Sequence, residues 1–122
     1  MENKINILAV DDDEFVQTAI RNFCKRIPNV ELTIASNGQI AVDNVTNNKY
    51  DLIFMDLYMP GITGYEATTK IRKLENGKDI TIVALTGDDV AEEDLKKFGF
   101  NSFSKKPISK KLFEGHINGL RK

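Results

Sequence analysis

The chain has 122 residues, of which 41% are hydrophobic and 29% charged, and its formal net charge is −1 at pH 7. This length predicts one domain, residues 1–122, and the balanced charge argues against direct binding to nucleic acid. The longest apolar runs, about five or six residues, are too short for a membrane span, and no secretory signal is recognisable. The single cysteine, Cys24, excludes an internal disulfide. We therefore expect a cytoplasmic protein.

Five short segments rich in Ile, Val, Leu and Phe are predicted strands. They cover residues 5–10, 31–35, 51–55, 80–85 and 101–104. The segments between them carry apolar residues roughly every three or four positions and are predicted helices. Their apolar stripes are Val16, Ile20, Phe23 and Ile27; Ile40, Ala41 and Val45; Ala67, Ile71 and Leu74; Ala91, Leu95 and Phe98; and Leu112, Phe113, Ile117 and Leu120.

Residues that favour helix N-termini precede three of these helices. Asp13 is the expected cap of the first helix and Ser109 of the fifth, whereas Asp89 and Glu92 have the spacing of a capping box for the fourth. Strands and helices therefore alternate along the chain, and nearly continuous apolar strands are typical of a sheet covered on both faces. The predicted fold class is α/β, a doubly wound (βα)5 domain.

Carboxylates follow two of the predicted strands. Asp11 and Asp12 come after the first strand and Asp56 after the third. Open α/β sheets bind ligands at the carboxyl ends of their strands, and like carboxylates brought together there need a compensating cation. Oxygen ligands of this kind suit Mg²⁺. Helix capping explains Asp13, but it does not explain an acid at the end of a separate strand.

Four motifs follow one another along the chain: "VDDD" at 10–13, "FMDLYMPGITGYEA" at 54–67, "ALTG" at 84–87 and "KKP" at 105–107. With these motifs the chain resembles, over its whole length, the receiver domain of two-component response regulators. The resemblance implies a flavodoxin-like, five-stranded parallel sheet in the order 2-1-3-4-5. It also implies a signalling protein that catalyses only its own phosphorylation and dephosphorylation, rather than an enzyme acting on other substrates.

The resemblance also implies roles for single residues. Asp56 would accept a phosphoryl group, and Mg²⁺, which Mn²⁺ could replace, would be held by Asp56, by Asp12 directly, by Asp11 through water and by the backbone carbonyl of Tyr58. Thr86, Gly87 and Lys106 would bind the phosphoryl group, Thr86 and Phe103 would form the switch, and the peptide bond before Pro107 would be cis. Alternation along a strand independently favours Lys106 over Lys105 as the lysine that faces the site.

The partners implied are a sensor histidine kinase or histidine phosphotransfer protein as donor, and an output protein or attached domain as target. Phosphorylation would change the surface built from the fourth helix, the fifth strand and the fifth helix, and a homodimer on phosphorylation is possible. Both a stand-alone regulator and a receiver from a larger protein fit the sequence, and the initial Met1 slightly favours the first. The lone His116 is expected to be a surface or partly packed residue, since the relay histidine belongs to the partner.

Some positions depart from the commonest family pattern. Thr63 stands where an acidic residue usually precedes the loop glycine, Tyr58 and Asp88 occupy positions that tune the access of water, and Phe103 lacks the hydroxyl of the alternative tyrosine. A haloacid-dehalogenase-like phosphatase would need a second acid where Tyr58 stands. An EF-hand loop and a flavin phosphate cradle also fail to match. The remaining alternative is an interaction module of the same fold that works without phosphorylation.

Overall fold

Five parallel strands form one sheet, with five helices packed on its two faces. The computed structural model describes residues 4–121; the predicted domain, residues 1–122, extends beyond this range at positions 1–3 and 122. The elements are β1 (Ile5–Val10), α1 (Glu14–Lys25), β2 (Val30–Ala35), α2 (Gly38–Asn47), β3 (Leu52–Asp56), α3 (Gly64–Arg72), a 3-10 turn (Glu75–Gly77), β4 (Thr81–Thr86), α4 (Glu92–Phe98), β5 (Ser102–Lys105) and α5 (Lys110–Leu120). The strands lie in the order β2-β1-β3-β4-β5, which confirms the predicted fold class and strand order.

The core lies in two layers, one on each face of the sheet. Side chains of β3 alternate between them: Ile53 and Met55 pack with the helices α2, α3 and α4, whereas Leu52 and Phe54 pack with α1 and α5. All five residues of β3 are buried, which explains why the strand is apolar without alternation. Each of the four apolar side chains, from Leu52 to Met55, contributes about 1.5–3 kcal/mol of stability when it is buried.

The sheet register places the predicted site residues together at the carboxyl ends of the strands. β3 and β4 begin and end one residue later than predicted, so that Asp56 is the last residue of β3 and Thr86 the last of β4. Asp56 pairs with Leu85, and Thr86 pairs with Lys105 of β5. The backbone of the predicted phosphoryl acceptor is therefore part of the central strand ladder.

Two of the three predicted helix caps are confirmed. Asp13 accepts a hydrogen bond from the Phe15 N–H, and Ser109 accepts one from the Leu112 N–H. The predicted capping box of Asp89 with Glu92 is wrong, because α4 begins only at Glu92. Within the described chain its N-cap, Ala91, makes no side-chain hydrogen bond. The carboxylate of Asp89 contacts the ammonium of Lys105 instead.

No helix in residues 4–121 combines the length and the apolar composition that crossing a membrane would require.

Candidate functional site

The carboxylate of Asp56 lies at the carboxyl end of β3, and the residue is only 5% exposed. Its Oδ1 accepts a hydrogen bond from the Tyr58 N–H at 3.3 Å and lies 3.1 Å from the ammonium of Lys106. The neighbouring strand β1 leads directly into Asp11, whose N–H donates to the Ala35 carbonyl of β2. The strand order thus brings the two acidic strand ends together, as predicted.

Asp11, Asp12 and Asp56 form a cluster in which one carboxylate oxygen of each lies within 4.8 Å of the others. Asp11 is buried and Asp12 is exposed. The Oδ1 of Asp11 accepts from the Asp13 N–H at 2.9 Å. Its buried Oδ2 forms an ion pair with Lys106 Nζ at 2.8 Å. A set of hard carboxylate oxygens whose negative charge exceeds that of the single lysine fits a site for Mg²⁺.

Burial and the charges in the cluster shift the pKa values of Asp56 and Lys106. Burial, and then the charge of Asp11, raise the pKa of the Asp56 carboxyl, and these effects outweigh the opposing contacts with Lys106 and the Tyr58 N–H. Burial acts to lower the pKa of Lys106, but its hydrogen bonds and ion pairs with Asp11 and Asp56 prevail, so that its pKa is raised. Lys106 therefore stays charged, but its single positive charge only partly compensates the three carboxylates. A bound cation would compensate the remaining negative charge.

Lys106 is the residue directly after β5, and its side chain extends to the acidic cluster. Its N–H donates to the Thr86 carbonyl at 2.8 Å, which ties it to the end of β4. Lys105 pairs with Asp89 and takes no part in the acidic cluster, in agreement with the predicted alternation. The Lys106–Pro107 peptide bond is cis, as predicted.

Thr86 is 1% exposed, and its hydroxyl is engaged by the loop that follows it. The Oγ1 accepts from the Asp88 N–H at 3.0 Å and donates to the Asp88 carbonyl at 3.2 Å. Gly87 is exposed, and apart from its two chain neighbours no described residue has an atom within 4 Å of the place where its Cβ would stand. There is space beside this residue, but the Thr86 hydroxyl must leave the Asp88 carbonyl before it can donate to another group.

The predicted switch aromatic, Phe103, is half-buried and packs against the core layer formed with α2, α3 and α4.

Tyr58 is 59% exposed beside Asp56. Its ring makes an edge contact with Tyr65 at a centroid distance of 6.2 Å, and Tyr65 contacts Phe98 of α4 at 4.8 Å. The loop after Asp56 is therefore connected through aromatic rings to the end of α4.

The departure at Thr63 has a local consequence. Thr63 is the N-cap of α3 and forms a complete capping box with Glu66: its Oγ1 accepts from the Glu66 N–H at 3.1 Å, and its own N–H donates to Glu66 Oε1 at 3.0 Å. Such a box satisfies two N–H groups of the helix start. A threonine in place of the commoner acid thus holds the loop end by helix capping.

Two positioning residues escaped the sequence analysis. Gly64 donates its N–H to the Leu57 carbonyl at 2.9 Å and packs on the backbone of Asp56. Gln17 of α1 donates from Nε2 to the Asp11 carbonyl at 2.7 Å. The tight "GITG" loop was a signal for Gly64, but a lone glutamine on a helix carries none.

Comparison with protein families matches residues 7–118 to the model of the response regulator receiver domain. Two-component response regulator 24 of Arabidopsis thaliana is 30% identical over 109 residues, covering 88% of this chain and 78% of that protein. The 3',5'-cyclic-nucleotide phosphodiesterase regA and Hybrid signal transduction histidine kinase B, both of Dictyostelium discoideum, are 31% and 32% identical over 95% and 94% of this chain. The chain spans only 15% and 7% of the length of these two relatives.

Solved structures with the same architecture include the receiver domain of sensor histidine kinase PA1611 from Pseudomonas aeruginosa PAO1, with a magnesium ion coordinated in its active-site cleft. Its sequence is 28% identical to this chain and the TM-score is 0.86. The matched region covers 96% of this chain and 97% of the PA1611 receiver chain. The chemotaxis protein CheY4 of Vibrio cholerae, at 23% identity and a TM-score of 0.87, covers 96% of this chain and 98% of its own and bears on the fold alone.

Proposed function

This chain belongs to the response regulator receiver domain family, and from that premise we propose that Asp56 accepts a phosphoryl group from a phosphohistidine. The donor is a sensor histidine kinase or a histidine phosphotransfer protein. The observation that carries the proposal is the buried carboxylate of Asp56 at the strand end, 3.1 Å from the Lys106 ammonium and clustered with two further acids. The domain we propose covers residues 1–122 and works in the reducing cytoplasm, where the free thiol of Cys24 is stable.

The reaction is a displacement at phosphorus. A carboxylate oxygen of Asp56 attacks the phosphorus, the P–N bond to the donor imidazole breaks, and the imidazole leaves with that electron pair. Such transfers pass through a largely dissociative transition state, so the protein mainly positions the nucleophile and compensates charge. Lys106 pairs with the phosphoryl oxygens, and the Thr86 hydroxyl and the backbone at Gly87 donate hydrogen bonds to them. The chain catalyses this transfer onto its own side chain and the later hydrolysis, and no other reaction.

The residues that would hold Mg²⁺, or Mn²⁺ in its place, are Asp12, Asp56 and the backbone carbonyl of Tyr58, with Asp11 acting through water. Three carboxylates whose negative charge exceeds the single positive charge of Lys106 support this assignment. When bound, the ion supplies positive charge beside the phosphoryl oxygens. Lys106 contacts the same carboxylates, so we expect the ion and the ammonium to share them.

Phosphorylation of Asp56 favours a second arrangement of the β4–α4 loop. The Thr86 hydroxyl exchanges Asp88 for a phosphoryl oxygen, and Phe103 moves into the space that Thr86 leaves. The surface of α4, β5 and α5 then changes its affinity for an output protein, an attached domain or a second copy of the chain. A Thr86→Ala variant should accept the phosphoryl group without this change, so its amide hydrogen exchange in α4 and β5 should be the same before and after phosphorylation. A response like that of the wild type would reject the assignment of the switch.

Incubation with acetyl phosphate and Mg²⁺ tests the acceptor directly. Intact mass spectrometry should show the gain of one phosphoryl group in the wild type and none in Asp56→Asn. The matched control is Asp51→Asn, which changes an exposed acid beside the opposite end of the same strand and should be phosphorylated normally. Absence of labelling by both acetyl phosphate and a cognate kinase would favour the interaction module that works without phosphorylation.

A further inference from the structure

In the segment between β4 and α4, residues 87–91, Val90 packs against the core layer formed with α2, α3 and α4, and the other four residues are exposed. Gly87, Asp88 and Asp89 are exposed, and α4 begins without a side-chain cap in the described chain. The Asp88 backbone is bonded to the hydroxyl of Thr86, which belongs to the end of β4. A segment with exposed backbone and few buried contacts lies at the low end of local stability.

One side-chain contact ties this segment to a different strand. The carboxylate of Asp89 accepts a hydrogen bond from the ammonium of Lys105 in β5. Lys105 is the register partner of Thr86, and the N–H of the next residue, Lys106, donates to the Thr86 carbonyl. The ion pair therefore joins the loop to the strand end that carries the site lysine. The pKa of Asp89 is lowered by its hydrogen bond to Lys105 and by the charge of that residue.

We propose that Asp89 and Lys105 are positioning residues for Thr86, and that their ion pair holds the β4–α4 segment in the arrangement that keeps the Thr86 hydroxyl on the Asp88 backbone. The inference rests on the proposed function, because it concerns the rearrangement by which Thr86 reaches the phosphoryl group. The ion pair opposes that rearrangement, so its loss favours the phosphoryl-bound state.

The size of the effect follows from exposure. Asp89 is 91% and Lys105 55% exposed at the side chain, and exposed ion pairs contribute little. We therefore expect a roughly two- to fivefold change in the equilibrium between the two loop arrangements. The direction of this change is more informative than its size. Removal of either partner breaks the same contact and should shift the equilibrium in the same direction, although the two substitutions change the charge of the protein in opposite senses.

Affinity for beryllium fluoride, an anionic phosphoryl analogue, measured by titration in the presence of Mg²⁺ tests the inference. Asp89→Asn and Lys105→Gln should each bind it roughly two- to fivefold more tightly than the wild type. The exchanged pair, Asp89→Lys with Lys105→Asp, should return to the wild-type affinity. Opposite changes in the two single variants would mean that only the long-range charge matters and would overturn the inference, as would unchanged affinities.

A neighbouring exposed pair on α4 provides the control. Asp94 and Lys97 lie 3.9 Å apart, and both are exposed. Asp94→Asn and Lys97→Gln make the same charge changes without touching the loop contact, so they should not both tighten binding. A wild type that binds no beryllium fluoride and takes no label from acetyl phosphate would refute the proposed function and this inference together. Normal wild-type binding with unchanged affinity in Asp89→Asn and Lys105→Gln would refute this inference alone.

Discussion

Gly64 packs so closely on the backbone of Asp56 that no side chain fits between them. A Cβ on Gly64 would lie 2.1 Å from the Asp56 carbonyl oxygen and 2.8 Å from the Cα of Leu57. Both are backbone atoms of the strand end or the residue after it, and they cannot move aside as a flexible side chain does. The first turn of α3 therefore supports the strand end that carries the proposed acceptor.

A Gly64→Ala variant should be destabilised by about 1–3 kcal/mol, the usual cost of overpacking, and should take up phosphate from acetyl phosphate more slowly because Asp56 is displaced. Urea unfolding and labelling kinetics measure the two effects. Gly115→Ala in α5 is the matched control: apart from its chain neighbours and the backbone of its own helix, no described atom lies within 4 Å of its Cβ position, and alanine there should stabilise the helix by about 0.5–1 kcal/mol. Equal stability of Gly64→Ala and the wild type would contradict the steric argument.

The acidic cluster predicts that Mg²⁺ stabilises the fold. An ion bound only to the folded state raises the free energy of unfolding by about 2.7 kcal/mol at a concentration a hundredfold above its dissociation constant. The thermal midpoint of the wild type should therefore rise with added Mg²⁺ and return after chelation with EDTA. Asp12→Asn should lose most of this response, although its midpoint without metal should be higher because one repelling carboxylate is gone.

Asp13→Asn is the control for this experiment. It removes the same charge one residue away, and asparagine caps a helix about as well as aspartate, so the start of α1 should be preserved. This variant should keep the response to Mg²⁺. A response of Asp12→Asn as large as that of Asp13→Asn would mean that the ion binds elsewhere.

The fold and the acidic cluster were predictable because they depend on repeated or strand-end signals. The apolar run of β3 predicts a strand covered on both faces, and the strand-end rule places Asp11 and Asp56 at the same end of the sheet. That the two strands are neighbours was implied by the family resemblance. The capping box at Asp89 failed for a different reason: its local signal is genuine, but a lysine sixteen residues away competes for the carboxylate. The loop motif marks Gly64 as a glycine position, but how closely its backbone approaches that of Asp56 depends on tertiary packing, which the motif does not encode.

Arg72 is a further structural residue that the sequence did not reveal. Its guanidinium donates to the carbonyls of Gly77 at 3.0 Å, Ile80 at 2.7 Å and Gly99 at 2.6 Å, and to Asn101 Oδ1 at 2.9 Å. These acceptors lie in the connections that flank β4 and α4, far apart along the chain. The planar guanidinium joins the end of α3 to both connections, and a lysine offers neither its geometry nor its number of donors.

Replacing Arg72 by lysine should lower the free energy of unfolding by about 2–4 kcal/mol, because partly buried carbonyls lose charged donors. Urea unfolding monitored by circular dichroism measures the change. The same substitution at Arg21, an exposed residue of α1, should stay within about 0.5 kcal/mol of the wild type. If Arg72→Lys were as mild as Arg21→Lys, the hydrogen bonds of the guanidinium would contribute no net stability.

His116 joins α5 to β5 through a partly buried polar contact. Its Nε2 lies 2.9 Å from the hydroxyl of the buried Ser104, and its ring makes an edge contact with Phe54 at a centroid distance of 5.7 Å. Burial lowers the pKa of His116 below its ordinary value of 6.5. The expectation of a partly packed residue is confirmed, and the packing favours the neutral ring.

The lowered pKa of His116 predicts a loss of stability in weak acid. The unfolded chain binds the proton more readily than the folded one, so this contribution is fully present above about pH 6.5 and is lost as the pH falls through the lowered folded pKa. His116→Gln, which keeps an amide near Ser104, should show a smaller fall in the free energy of unfolding between about pH 7.5 and 5.5. Both proteins should carry Asp56→Asn, because the raised pKa of Asp56 acts in the opposite direction. His116 is the sole histidine, so parallel pH profiles for the two proteins would show that its protonation is not linked to folding.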